Sequence, residues 1–364
     1  MGLEIVFVGT KFLYNKGLGE YALKEVQKIA PVEGIVYIKD ADNSLFLRLE
    51  ELVLNKEELV IVCSKQNYAT IGKLLCTITE DNLVLQEDGM LIPSNTTSYR
   101  YNTYLLTYKD TEINVVLLDD MQRFPKLLIK SKVQRDSFHL FDEEEQSAKA
   151  LLEPLSQTYE VRLDFIRHTQ KWLEVIVESK KYGDVAKFLQ AVKQLLPSKV
   201  IAEKNIAAHI ISTLSRHNLT ITFAESCTGG LLSYFFTKNN GASNILEGAL
   251  VTYSNRIKSS WLAVEQSLFE QVGAVSAEVV EEMSEGALGV SNADFAISIS
   301  GIAGDGGGSQ EKPVGTVYIG IRSKTKHKEE RFYFQGDRNY VQYQSVLQAV
   351  EMLILENKEL FFGN

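Results

Sequence analysis

The sequence predicts an α/β protein of more than one domain, and three observations carry that prediction. Within the first third, apolar strand-like runs at 3–8, 34–38 and 58–63 alternate with helically spaced runs at 18–29 and 45–54. Strands and helices taken in turn fold as a parallel sheet covered by helices. Between 138 and 196 the order becomes helix, strand, strand, helix, that of a small α+β module. From Asn205 onward the helical runs lengthen, and glycines punctuate the turns between them and further strands. At 364 residues the chain has room for two or three domains of roughly 100–200 residues each.

Composition narrows the function. A hydrophobic fraction of 45% and a charged fraction of 23% are those of an ordinary globular protein. The net charge of -9 argues against a broad nucleic-acid surface, because phosphate backbones attract basic patches. A local basic pocket for one phosphate stays open. Cys63, Cys76 and Cys227 form no CxxC pair, and their odd number gives no disulfide framework, which suits a reducing compartment. The opening Met-Gly-Leu-Glu-Ile-Val carries an acidic residue and no basic segment, so no signal peptide is expected. No apolar run approaches the ~20 residues of a membrane helix. The expectation is a soluble, cytoplasmic protein without membrane contact.

In the first third, a site belongs at the carboxyl ends of the strands. Those ends read Gly-Thr-Lys-Phe-Leu-Tyr after the first strand and Ser-Lys-Gln-Asn-Tyr after the third. Neither is glycine-rich, and neither brings paired carboxylates or histidines for a metal. Asp40 and Asp42 read as a solvated turn. The runs 104–108 and 113–118 flank Lys109-Asp110-Thr111-Glu112 as a hairpin does.

The middle stretch opens with a short strand at 138–141 and a helix at 143–155 whose acidic first turn suits the helix dipole. Strands at 159–168 and 171–179 follow, then an amphipathic helix at 183–196 that stops at Pro197. His168, between the strands, reads as a lone surface histidine with a structural role. RNA-binding KH modules have a related order but clamp the backbone with a GXXG loop, which this stretch lacks.

The chemistry concentrates after Asn205. Residues 220–232 read Thr-Ile-Thr-Phe-Ala-Glu-Ser-Cys-Thr-Gly-Gly-Leu-Leu: a β-branched strand, a small polar turn, and an apolar helix. Such a turn aims its side chains and the helix's first N–H groups at one spot. Ser226, Cys227 and Thr228 stand there, and Gly229 and Gly230 remove side chains that would block a ligand. The competing reading is a well-capped helix start, with Ser226 or Thr228 as N-cap. A second strand ends in Tyr253-Ser254-Asn255 with Lys258 one helical turn beyond, and a third runs into the loop 301–308. In an open α/β sheet these three ends share an edge. The glycine-rich loop is not a Walker loop, since no Gly-Lys-Ser/Thr and no helix follow it; it either cradles an anion with backbone amides or simply connects. A nucleophilic serine needs a base. No histidine is near, so a lysine with a lowered pKa, Lys258, is the candidate, against its reading as an ordinary surface lysine. Cys227 is the rival nucleophile, with no histidine placed to activate it.

Five segments in this order resemble the successive motifs of the CinA C-terminal domain family. They are Ala224-Glu225-Ser226-Cys227-Thr228-Gly229-Gly230, Val251-Thr252-Tyr253-Ser254-Asn255 with Lys258, Gly273-Ala274-Val275-Ser276, Ser300-Gly301-Ile302-Ala303-Gly304, and Lys312-Pro313-Val314-Gly315-Thr316-Val317. The family includes nicotinamide-nucleotide amidases. The resemblance implies hydrolysis of the carboxamide of nicotinamide mononucleotide to nicotinate mononucleotide and ammonia, in pyridine-nucleotide salvage, without a metal or other cofactor. By position, Ser226 would be the nucleophile, and Lys258 with Tyr253 would activate it or relay protons. Thr228, Gly229, Gly230, Asn255, Gly301, Gly304 and Arg338 would hold the substrate, and N–H groups after Ser226 would supply the oxyanion donors. The alternative is a non-catalytic nucleotide-binding or competence-related interaction protein.

This chain departs from the family pattern at two places. Asp305 replaces the usual proline after Ile-Ala-Gly, and Gln342 stands where a second arginine often follows Gly336-Asp337-Arg338. Both changes bear on substrate affinity rather than on the catalytic centre. Full-length relatives carry an N-terminal domain similar to molybdopterin-binding proteins and then a small KH-like domain. The resemblance thus implies a molybdopterin-binding-like α/β domain at 1–130, a KH-like α+β domain at 131–200, and an α/β CinA domain at 201–364. It also implies a homodimer. In many relatives the first domain hydrolyses ADP-ribose with a metal, using a Gly-Gly-Leu-Gly-Pro-Thr stretch with nearby aspartates. Here that place reads Cys63-Ser64-Lys65-Gln66-Asn67-Tyr68, so this activity is not expected of a degenerate N-terminal domain.

Overall fold

A computed structural model describes residues 3–130, 134–304 and 306–363, and the chain divides into two compact units, 1–135 and 136–364. The first unit runs β1 (Leu3–Val8), α1 (Thr10–Tyr14), α2 (Lys16–Gln27), β2 (Val32–Ile38), α3 (Leu45–Asn55), β3 (Glu58–Cys63), α4 (Lys65–Thr79), β4 (Leu83–Leu85), β5 (Leu91–Pro93), β6 (Ser98–Arg100), β7 (Thr103–Tyr108) and β8 (Thr111–Leu117). Its main sheet has the order β2-β1-β3-β8-β7-β6, with β1, β2, β3 and β8 parallel. β1 and β3 read as continuous apolar runs because both faces are covered. Ile5, Phe7, Val60 and Val62 pack against α2, while Val6, Val8, Ile61 and Cys63 face α3 and α4. The expected hairpin is β7–β8. Helix α4 went unread, since its polar start looked like a loop.

The second unit opens with β9 (Arg135–Phe141), α5 (Glu145–Thr158), β10 (Val161–Thr169), β11 (Trp172–Ser179), α6 (Val185–Leu195) and β12 (Val200–Ile201), in a sheet ordered β10-β11-β9-β12. One reading is corrected: His168 is neither in a turn nor alone. It lies within β10, one residue before its end, with its Nε2 3.0 Å from Glu174 and its ring 4.7 Å from that of Trp172.

The chain continues through α7 (Ile206–Arg216), β13 (Ile221–Glu225), α8 (Leu231–Thr237), β14 (Leu246–Val251), α9 (Asn255–Leu262), α10 (Gln266–Gln271), α11 (Ala277–Ser291), β15 (Phe295–Gly301), β16 (Thr316–Ser323), β17 (His327–Tyr333), α12 (Arg338–Glu356) and α13 (Lys358–Phe362). The sheet order is β14-β13-β15-β16-β17, parallel through β15 and antiparallel beyond. Phe223, Ile297, Ile299, Val317 and Ile319 bury one face under α7, α8 and α12. Small residues Ala224 and Ala296 line the other, where α9 and α11 dock through Leu262, Val279 and Met283. The carboxyl ends of β13, β14 and β15 therefore lie together, with Glu225 paired to Val251 on one side and Ile299 on the other. Among the described residues no helix is long and apolar enough to cross a membrane.

Candidate active site

Strand β13 stays paired to its end. Ser226 N donates to Ile299 O at 3.0 Å, and Thr252 N donates to Glu225 O at 2.8 Å. The chain then leaves the sheet through residues 226–230. Gly229 and Gly230 have φ of 59° and 102°, a left-handed pair that residues with side chains seldom adopt. The neighbouring strand β14 leads through Thr252 and Tyr253 to Ser254, whose Oγ accepts from Ile257 N and starts α9. Side chains on a helix lean toward its N-terminus, so the stem of Lys258 runs back over the first turn to the strand ends.

There Lys258 meets Ser226. Nζ donates to Ser226 Oγ at 2.9 Å, to Thr252 O at 2.8 Å and to Tyr253 O at 3.3 Å. Lys258 is 1% exposed and Ser226 8%. Burial pushes the ammonium's pKa down to about 8. A neutral amine keeps two N–H donors and one lone pair. With two backbone carbonyls taking the donors, the lone pair faces Ser226 Oγ. The same burial pushes the Cys227 thiol up to about 12, which disfavours its thiolate.

The other expected residues are distributed around this pair. Tyr253 reaches Lys258 through its carbonyl, while its ring is 64% exposed. Asn255 is exposed at the start of α9. Thr228 is buried, and its Oγ1 has no partner among the described residues. At Gly301 a Cβ would stand 3.0 Å from Cys227 Sγ, and at Gly304 one would stand 1.9 Å from Arg338 Nη2. Glycine thus lets the guanidinium at the head of α12 lie against the loop that follows β15. Asp305 falls outside the described residues.

The start of α8 differs from expectation. Its N-cap is Gly230, and neither Ser226 nor Thr228 caps it. The carboxylate of Glu225, fully buried, accepts from Gly230 N at 2.9 Å, Leu232 N at 3.1 Å and Ser233 N at 2.8 Å, and also from Ser233 Oγ. The helix's first donors are therefore occupied by the protein itself. The amides left over are those of Thr228, which meets no acceptor among the described residues, and of Cys227, whose partner is its own thiol. Sequence reading placed Glu225 in the polar cluster without this role. The usable signal was a carboxylate just before a helix start, where the dipole favours negative charge.

Among the described residues, two side-chain groups elsewhere have metal-ligand composition: His139, His168 and Glu174, and the more exposed Glu281, His327 and Glu329. In the first, Trp172 Nε1 donates to His139 Nδ1 at 3.1 Å, and Nε2 therefore donates to Lys204 O, also at 3.1 Å. Burial pushes this imidazole's pKa down to about 4, and no lone pair of it remains for an ion. The second is an ion-paired cluster in which His327 faces both glutamates.

A family model described as the CinA C-terminal domain matches residues 203–356. A nicotinamide-nucleotide amidohydrolase, PncC, of Pseudomonas putida is 45% identical over 149 residues, 41% of this chain and 93% of that protein. A CinA-like protein of Prochlorococcus marinus (strain AS9601) is 39% identical over 199 residues, 51% of this chain and 47% of that protein. The chain thus spans about half the length of that curated relative. Among solved structures, the competence/damage inducible protein CihA from Agrobacterium tumefaciens is 37% identical, with a TM-score of 0.41, over 42% of this chain and 93% of that one.

Proposed function

The chain belongs to the CinA C-terminal domain family through residues 203–356, and from that premise we propose that it is an amidase releasing ammonia from nicotinamide mononucleotide. The observation that carries the reading is the buried contact of 2.9 Å between Lys258 Nζ and Ser226 Oγ. Ser226 Oγ attacks the carboxamide carbon and passes its proton to neutral Lys258. The amides of Cys227 and Thr228 hold the oxyanion that forms. Lys258 returns the proton to the leaving nitrogen, ammonia departs, and a serine ester remains. Water deprotonated by Lys258 then attacks the ester, giving nicotinate mononucleotide and restoring Ser226. Tyr253 lends its carbonyl to Lys258, and Thr228, Gly229, Gly230 and Asn255 line the entry. Arg338, laid against Gly301–Gly304, takes the substrate's phosphate. The working form is a cytoplasmic homodimer with the domain boundaries expected from the sequence.

The test is ammonia release from nicotinamide mononucleotide by the purified chain beside Ser226→Ala, with no added metal. Release by the first and none by the second is expected. Equal release from both would remove Ser226 from the mechanism. Binding without release by the wild type would leave a nucleotide-binding protein in place of an enzyme.

A further inference from the structure

Gln342 lies in the second turn of α12, and its Nε2 donates to the carbonyl of Cys227 at 2.6 Å, across 115 residues of sequence. The carbonyl of Ser226 is held as well, accepting from Gly229 N at 3.1 Å. In a planar trans peptide the C=O and the N–H point in opposite directions, so anchoring one aims the other. The Cys227–Thr228 peptide is consequently fixed with the N–H of Thr228 turned away from α12. The Ser226–Cys227 peptide is fixed with the N–H of Cys227 turned away from Gly229. The Thr228 amide meets no acceptor among the described residues, and that of Cys227 reaches only its own thiol.

We infer that Gln342 is a positioning residue for oxyanion binding: by holding the Cys227 carbonyl it aims the Thr228 amide at the oxygen of the bond that Ser226 attacks. This rests on the amidase reading above. It changes the meaning of the departure at this position. The side chain that stands in for an arginine acts on the enzyme's own backbone, so its loss falls on turnover rather than on substrate affinity. A loosely held peptide rotates, and a donor misaligned in the transition state forfeits part of the roughly 10²–10³-fold that one oxyanion donor supplies.

The experiment compares wild type, Gln342→Met, which keeps length and lacks a donor, and Gln342→Arg, which restores one. Two rates are read. The first is phosphonylation of Ser226 by a fluorophosphonate, in which the Oγ–P bond forms, the P–F bond breaks, and the serine proton passes to Lys258. The second is ammonia release from nicotinamide mononucleotide, resolved into kcat and KM. Gln342→Met is expected to lower kcat and the phosphonylation rate together by about 10–100-fold, with KM within about twofold and the melting temperature unchanged. Gln342→Arg is expected to recover most of both. Phosphonylation of Gln342→Met at the wild-type rate would overturn the assignment, as would a raised KM at constant kcat. Absence of labelling at Ser226 in the wild type would overturn it too. If the wild type is labelled but releases no ammonia, the substrate reading fails while the phosphonylation ratio still decides the role of Gln342.

Discussion

Two sheet edges in this chain use similar residues to different ends. At the carboxyl ends of β1, β2, β3 and β8 a crevice of about 410 Å³ is lined by Lys11, Asp40, Ser64, Lys65, Gln66 and Asp119. Lys11, Asp40, Ser64 and Asp119 are all partnered. Lys11 pairs with Asp119; Asp40 accepts from Thr10 N at 3.0 Å and from Asn67 Nδ2 at 2.6 Å; Asn67 also donates to Ser64 Oγ. The bonds from Asn67 and Thr10 hold the Asp40 carboxyl below its ordinary range, and the bond from Lys11 does the same for Asp119. At the ends of β13, β14 and β15 the first donors of α8 are likewise matched by Glu225, yet the amide and hydroxyl of Thr228 meet no partner among the described residues. An edge becomes a site through what its own structure leaves over.

The comparison breaks first at the nucleophile. Ser226→Ala should lower ammonia release by a factor on the order of 10⁴–10⁶, the scale for loss of a catalytic serine. Lys258→Met should do nearly as much and also stabilise the fold. The folded pKa of about 8 lies below the 10.5 of an exposed lysine, so the unfolded chain holds more protons between those values and stability rises with pH across that window. Below pH 8 the full penalty stands. At pH 7 methionine should raise stability by on the order of 3 kcal/mol, from ~1.4 kcal/mol per pH unit, visible as a higher melting temperature. A lower one would mean that the ammonium is held favourably by its carbonyls.

A gentler break is titration. Turnover needs neutral Lys258, so kcat should climb about tenfold per pH unit below pH 8 and level off above it; a flat profile between pH 6 and 9 would exclude this base. The smallest effect belongs to the other edge. Asp40→Asn should cost about 1 kcal/mol or less and change ammonia release less than twofold. The full chain with added divalent cations should leave ADP-ribose intact, and release of AMP would show that the first crevice is a site after all.

Most of the α/β framework was legible because buried parallel strands have few alternatives: the runs at 3–8 and 58–63 coincide with β1 and β3. The meeting of Lys258 with Ser226 was legible because a strand end and one helical turn fix the lysine's direction locally. Gln342 was legible only as a substitution, since its partner Cys227 is set by how α12 crosses the sheet. The role of Glu225 and the pairing of His168 with Glu174 depend likewise on packing that no short spacing encodes. His168 was misplaced because a polar residue at a strand end looks like a turn.

The separation of 115 residues between Cys227 and Gln342 has a consequence for the order in which the protein is made. Ser226 and Lys258 emerge from the ribosome 32 residues apart, a few seconds at ~5–20 residues per second. The glutamine that aims the amide follows only in α12, several seconds later at the same pace. A nascent chain, or one cut short before α12, would carry Ser226 and Lys258 with the peptide after Cys227 free to turn. Full reactivity would then arrive last, with the segment that also completes the core.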